Sequence, residues 1–368
     1  MRAALAVAVS ALLALAATPH ATAVELGIQD DRLFLGVMTT TEGALRVSPA
    51  RGLALARELR VTTLRLNVRW SAVAVAPERY DLARVEAAVD GARAAGLRVQ
   101  LALTGPAPAW ATADGRVGNR APDPAAFGRF AGAVATQLRG RVARYAVWNE
   151  PNWHGLLTPR RRAPAIYRAL YRAAEPALRR ADPHTRVLFG ELAPMGSPED
   201  ATSPLAFLRA ATCTNRRWHL IRRCAALRAD GFALHPYTLR WQPDFPGATE
   251  DDVTTGSLAR LEHALRVLSG RRVLTTPRGR ELPLYLTEWG WHARSTVIPE
   301  PLRSRFMLAG LDLIARDRHV RQVIWYQLVG APDRPRPVWD TGLLDADGSP
   351  RPAFGVLRSW ARAPGAAD

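Results

Sequence analysis

Lysine is missing altogether: the 50 residues counted as Lys or Arg are all Arg. Against 33 acidic residues they leave a formal charge of +17. A surplus of that size raises the question of an anionic partner. The arginines are scattered along helix-like runs rather than gathered into one stripe, so we read them as a compositional preference and expect no nucleic-acid partner. An acidic polysaccharide stays compatible with the charge. Cysteine is nearly absent, with only Cys213 and Cys224. Two cysteines without a tight histidine cluster do not make a zinc site. The motifs HxH and HExxH are lacking, which argues against a metal-dependent hydrolase. Neither GxGxxG nor GxxxxGK[ST] occurs, which removes the usual phosphate loop of an open doubly wound sheet. We therefore expect no metal and no organic cofactor. No apolar run reaches the ~20 residues of a spanning helix, and no heptad or apolar stripe predicts an oligomer, so a monomer off the membrane is expected.

The N-terminus is the most apolar stretch. Met1 and Arg2 precede Ala3–Ala17, apolar except for Ser10, and Ala21-Thr22-Ala23 offers a small-x-small cleavage pattern. This is the pattern of a secretory signal peptide. The expectation is a leader over 1–23, a single domain over 24–368, and an exported, extracellular product. In an exported chain the isolated pair Cys213 and Cys224 is expected to form a disulfide.

Along the rest of the chain, short β-branched or apolar runs alternate with longer Ala/Arg/Leu runs of helical spacing, the rhythm of βα units. Strands are expected at 33–37, 62–68, 98–103, 143–148, 186–189, 231–234, 284–287 and 322–327. Helices are expected over 50–59, 82–95, 124–138, 164–180, 255–268, 301–315 and 353–361. Eight strands with helices between them fit an α/β fold, a single-domain (β/α)8 TIM barrel.

In such barrels the chemistry sits at the C-terminal ends of the strands. The fourth strand runs into Trp148-Asn149-Glu150-Pro151-Asn152 and the seventh into Thr287-Glu288-Trp289-Gly290-Trp291. Each puts a carboxylate at the active face, on strands that lie across the barrel mouth from one another. Two carboxylates flanking one bond are what glycoside hydrolysis needs, one to donate a proton and one to attack or to activate water. Other acidic residues carry less weight: Glu191 also follows a strand and is read as secondary.

The pair WNEPN and TEWG, each after a strand, resembles the large clan of retaining glycosidases built on (β/α)8 barrels, and families 39 and 5 in particular. The resemblance spans essentially the whole mature chain. It implies Glu150 as acid/base, Glu288 as nucleophile, and Asn149 as a hydrogen-bond partner of the sugar 2-hydroxyl. It further implies Arg65 in Leu64-Arg65-Leu66 as the cation beside the nucleophile. His235 and Tyr237 in His235-Pro236-Tyr237 match the clan's His-x-Tyr, with the Tyr hydroxyl bonding Glu288. Trp325 matches the aromatic floor under the sugar.

Of 11 tryptophans, Trp70, Trp110, Trp153, Trp241, Trp289 and Trp291 all follow expected strands. Sugar rings pack their C–H faces on aromatic planes, so these are candidate substrate platforms, with several expected only to fill the barrel top. Asn152, Trp153 and His154 would shape the leaving-group side. The segments 197–230, with the cysteines, and 240–252 are candidate walls of the cleft. The expected partner is an oligo- or polysaccharide, and the expected activity is a secreted β-glycosidase or endo-β-glycanase. A barrel that binds carbohydrate without cleaving it, and a transglycosylase using the same two carboxylates, are the alternatives.

Overall fold

The computed structural model describes residues 24–36, 45–293, 295, 297–331 and 339–363. The leader expected over 1–23 lies outside them. We number the barrel strands and principal helices in chain order. The strands are β1 (Glu25–Gln29), β2 (Thr63–Arg69), β3 (Arg98–Thr104), β4 (Arg144–Val147), β5 (Arg186–Leu192), β6 (Gly231–Leu234), β7 (Leu284–Trp289) and β8 (Val320–Tyr326). The helices are α1 (Asp31–Leu35), α2 (Pro49–Glu58), α3 (Ala83–Ala94), α4 (Pro124–Gln137), α5 (Ala163–Ala181), α6 (Pro204–Thr212), α7 (Leu258–Gly270), α8 (Glu300–Arg316) and α9 (Pro352–Arg362). The eight strands close into one barrel, β8 pairing with β1, and every barrel pairing is parallel.

Helix starts follow local chemistry. Ser48 and Asp123 cap α2 and α4 by accepting N–H bonds from Arg51 and Ala126. Proline stands in the first turn of α2, α4, α5, α6, α8 and α9, where its missing N–H costs nothing. Along each strand, side chains alternate between the barrel interior and the helices. The outward ones form the main apolar core; Ala102, Ala146, Leu188, Ala233 and Tyr285 make a small inner cluster.

One expectation fails at the start. The first strand is not 33–37 but Glu25–Gln29, and Leu33–Leu35 belong to helix α1. Asp30 caps that helix by accepting from Leu33 N–H, and Gly36 ends it in the left-handed conformation. Val37 lies outside the described residues. Helix α6 was not expected at all. Cys213 ends it in the left-handed conformation and bonds Cys224, closing the loop that follows; neither cysteine lines the cleft that holds the carboxylates. Among the described residues no helix is long and apolar enough to cross a membrane.

Candidate active site

Backbone held in unusual conformations presents the site. After β4 the chain turns through Trp148 (φ 68°) and Glu150 (φ 44°), and Glu191 on β5 has φ 53°. Left-handed backbone at non-glycine residues costs of order 1–3 kcal/mol each and persists only where neighbours enforce it. The neighbours are evident. Trp148 is buried and donates its indole N–H to Leu156 O at 2.7 Å; Glu150 donates its N–H to Glu191 O at 2.9 Å. Asn152 ties the same loop down through Ala193 and Thr202 rather than facing the cleft. On the far side, the register of β7 against β8 shifts between Leu286 and Trp289. Such an irregularity re-aims side chains, and Glu288 lines the cleft while Trp289 is buried in the outer core.

Between these carboxylates runs a buried ionic network. Arg65, on the inward face of β2, donates from Nη1 to Glu288 Oε1 at 2.7 Å and from Nη2 to Asn149 Oδ1 at 3.0 Å. It also bonds Gln29 and Glu191. His235, at the end of β6, puts Nδ1 2.9 Å from Glu150 Oε1 and Nε2 2.9 Å from Glu191 Oε2. Tyr237 donates its hydroxyl to Glu288 Oε2 at 3.2 Å. A carboxylate oxygen of Glu150, a ring nitrogen of His235 and a carboxylate oxygen of Glu288 all lie within 4.8 Å of one another. With both its nitrogens engaged by carboxylates, His235 keeps no lone pair for a metal ion.

Charges are set by this arrangement. Burial alone would lower the pKa of His235, but the Glu288 charge and the bonds to Glu150 and Glu191 outweigh it and raise the pKa to about 10. Glu191 is driven the other way: burial opposes ionisation, yet Arg65 and His235 hold its carboxyl below the usual range. Arg65 stays firmly protonated, since Glu191, Glu288 and Asp31 overcome its burial. Burial and the Glu288 charge push the Tyr237 phenol well up, so it remains a donor. Glu191 is thus the anion that holds both cations in place, and weighing it as secondary understated it.

The cleft is a cavity of about 430 Å³ lined by Asp31, Asn67, Arg69, Asn149, Glu150, Trp153, Leu156, Ala193, Pro194, Met195, Tyr237, Leu239, Glu288, Tyr326 and Trp339. The aromatic expectations divide. Trp153, 41% exposed, lines it. Trp70, Trp289 and Trp291 do not: all three are fully buried, Trp70 stacked on Phe130, Trp289 bonded to Thr255 Oγ1 and Trp291 to Trp241 O. Trp110 is exposed but opens on a separate depression with Arg162 and Ile166. Trp325 is a further correction. Strand alternation turns it outward under Arg303 of α8, and Tyr326, one residue on, takes the place in the cleft. The walls also differ from expectation: Trp241 stacks on Phe245 and braces the rim, while Leu239 and Met195 line the cavity. Trp339, 42% exposed with its ring edge-on to Tyr237, was not anticipated; it follows the last strand with no local motif to mark it. Asn67 and Arg69 were not singled out either, although the strand period offered a signal: they share the inward face of β2 with Arg65 at a spacing of two.

No protein-family model matches the sequence, and no curated protein matches it. Solved structures do. A family 39 glycoside hydrolase from the gut symbiont Bacteroides cellulosilyticus WH2 superposes with a TM-score of 0.68 at 17% identity, over 92% of this chain and 64% of that one. The fold is that of the glycoside hydrolase barrels. The exo-beta-1,4-mannosidase Op5Man5 from Opitutaceae bacterium strain TAV5 gives 0.59 at 18% identity, over 92% and 59% of the two chains. GH5_18 from Streptomyces cattleya, solved in complex with GlcNAc, gives 0.59 at 18%, over 92% and 79%. The chain thus spans less than two thirds of the length of the Bacteroides and Opitutaceae proteins it matches.

Proposed function

We propose that this protein is a retaining β-glycosidase, exported by the leader read at 1–23, with Glu288 as nucleophile and Glu150 as acid/base. The observation that carries the reading is the approach of Glu150 and Glu288, whose nearest oxygens lie within 4.8 Å across the cleft. Carboxyl groups about 5–5.5 Å apart suit a covalent double displacement, whereas about 6.5–9.5 Å leaves room for the water of an inverting mechanism. The names of the structural neighbours, which include a mannosidase and a beta-glucosidase, agree with a glycoside as substrate.

In the first step a Glu288 oxygen bonds to the anomeric carbon, the bond from that carbon to the leaving oxygen breaks, and Glu150 gives that oxygen its proton. In the second step Glu150 takes a proton from water, the water oxygen bonds to the anomeric carbon, and Glu288 leaves as carboxylate. Arg65 and Tyr237 hold Glu288 from two sides and fix its attacking geometry. Asn149 accepts from Arg65 with its oxygen, so its NH2 group is left to donate to a sugar hydroxyl. His235 positions the Glu150 carboxyl group through Oε1 and leaves Oε2 for the proton that is given up.

The test is turnover of a panel of aryl β-glycosides by the wild type, Glu288→Gln and Glu150→Gln. Loss of activity in the Glu288→Gln variant, with the variant still folded, supports the reading, and full activity in that variant overturns it. Bound sugar without cleavage by the wild type would favour the carbohydrate-binding barrel instead.

A further inference from the structure

We propose that the corner of the cleft formed by Asp31, Asn67 and Tyr326 binds the hydroxyl groups of an uncharged sugar, with Asp31 as the residue that accepts from the sugar. The proposal rests on the glycosidase reading and names the class of glycone that it takes. The three residues come from adjacent barrel strands: Tyr326 ends β8, Asp31 opens α1 directly after β1, and Asn67 lies on β2 two residues beyond Arg65. All three line the cavity that holds Glu150 and Glu288.

Asp31 is held rigidly. Its Oδ1 accepts from the Asn67 backbone N–H at 2.8 Å and its Oδ2 from Gln29 Nε2 at 3.0 Å. The Gln29 amide cannot turn over, because its oxygen accepts from Arg65 Nη1, which also bonds Glu288. One chain of hydrogen bonds therefore runs from Asp31 through Gln29 and Arg65 to the carboxylate proposed to attack. What Asp31 lacks is a cation. Glu191 and Glu288 each pair with Arg65, but among the described residues no Arg or His comes within ion-pair distance of Asp31. Burial raises its pKa, opposed by the Asn67 bond and by Arg65 at longer range. A carboxylate kept half-buried without a counter-ion has lone pairs still to satisfy.

Its neighbours have the same need. Asn67 Oδ1 is shut off from solvent with no partner. Tyr326 lies close enough to Glu288 and Asp31 for their charges, after burial, to raise its pKa, so its phenol stays neutral. The corner is thus rich in acceptors, and hydroxyl groups are the donors that complete it. A sugar carboxylate or phosphate in that position would meet Asp31 with like charge. Arg69 stands one pleat further out, exposed at the rim, so a cation is available only outside the corner.

The experiment uses the aryl β-glycoside cleaved fastest by the wild type, its monodeoxy analogues and the matching glycuronide. Removing one partner of a hydrogen bond to a charged group is expected to lower kcat/KM about 10- to 100-fold. Asp31→Ala is expected to show that loss on the parent glycoside. One deoxy analogue is expected to show it with the wild type and about none of it with Asp31→Ala, because the contact is already gone. Asp31→Asn is expected to raise the ratio of glycuronide to neutral glycoside turnover. If Asp31→Ala does not fold, Asp31→Asn, which keeps an acceptor for the Asn67 N–H, is read on the same deoxy series. Asp31 variants that cleave the parent like the wild type, or deoxy penalties that simply add to the Asp31 loss, overturn the inference alone. Absence of any turnover by the wild type, or turnover that survives Glu288→Gln, overturns the glycosidase reading and this inference with it.

Discussion

His235 and Glu191 form an ion pair with both side chains wholly closed to solvent, Nε2 to Oε2 at 2.9 Å. Glu191 also carries Arg65, so one carboxylate restrains the two cations that in turn hold Glu150 and Glu288. Removing one partner of a buried pair leaves an uncompensated charge and costs about 3–5 kcal/mol. Glu191→Gln should lower the free energy of urea unfolding by an amount in that range, with a lower midpoint, and it should reduce kcat more than it raises KM. An unchanged midpoint would show that Arg65 and His235 hold themselves.

The same pair makes stability depend on pH. The folded pKa of His235, about 10, lies above its ordinary value near 6.5. A group with a raised folded pKa contributes stability that is complete below the unfolded value and is lost as pH rises through the folded one. The stability advantage of the wild type over His235→Gln should therefore be full below about pH 6.5 and shrink toward pH 10. Chemical unfolding of both proteins across that interval checks it, and a gap that stays constant contradicts it.

The tryptophans should separate by direction rather than by chain position. Trp153→Ala and Trp339→Ala remove aromatic walls of the cleft and should lower kcat/KM about tenfold while the fold stays intact. Trp110→Ala, on a separate depression, should leave kinetics unchanged. Trp289→Ala or Trp291→Ala should instead cost about 3–5 kcal/mol of stability, since both rings are fully buried. Steady-state kinetics alongside thermal unfolding distinguishes these classes.

The bond between Cys213 and Cys224 closes a short loop, at a sequence separation of 11. Restricting the unfolded chain over so short a loop is worth about 2–3 kcal/mol. Replacing both cysteines by serine should lower the unfolding midpoint accordingly. Turnover should be unaffected, because no residue from 213 to 224 lines the cleft that holds Glu150 and Glu288. Loss of kcat/KM in a folded double variant would contradict that placement.

Much of this architecture was legible in the sequence because βα rhythm is a property of spacing, and most expected helices fall within a few residues of those found. WNEPN and TEWG were legible for a different reason: each sits where a strand ends, and strand ends are where a barrel presents chemistry. The failures have local causes. The run Leu33-Phe34-Leu35 is short and apolar, so it reads equally as strand or as buried helix; Asp30 and Gly36, its caps, decide for helix and hid Asp31 from view. Trp325 and Tyr326 are adjacent aromatics on one strand, and only the parity of the strand says which faces inward. Trp289 and Trp291 follow an irregular stretch of β7, where simple alternation no longer applies. Glu191 drew little attention because its role arises from partners 126 and 44 residues away in the chain.

The most direct measurement of the central claim is the anomeric configuration of the first sugar released, followed by proton NMR before mutarotation blurs it. A double displacement through Glu288 predicts that the β-glycoside yields the β-hemiacetal first. Initial release of the α-anomer would mean that water, not Glu288, attacks the anomeric carbon, and would contradict the account.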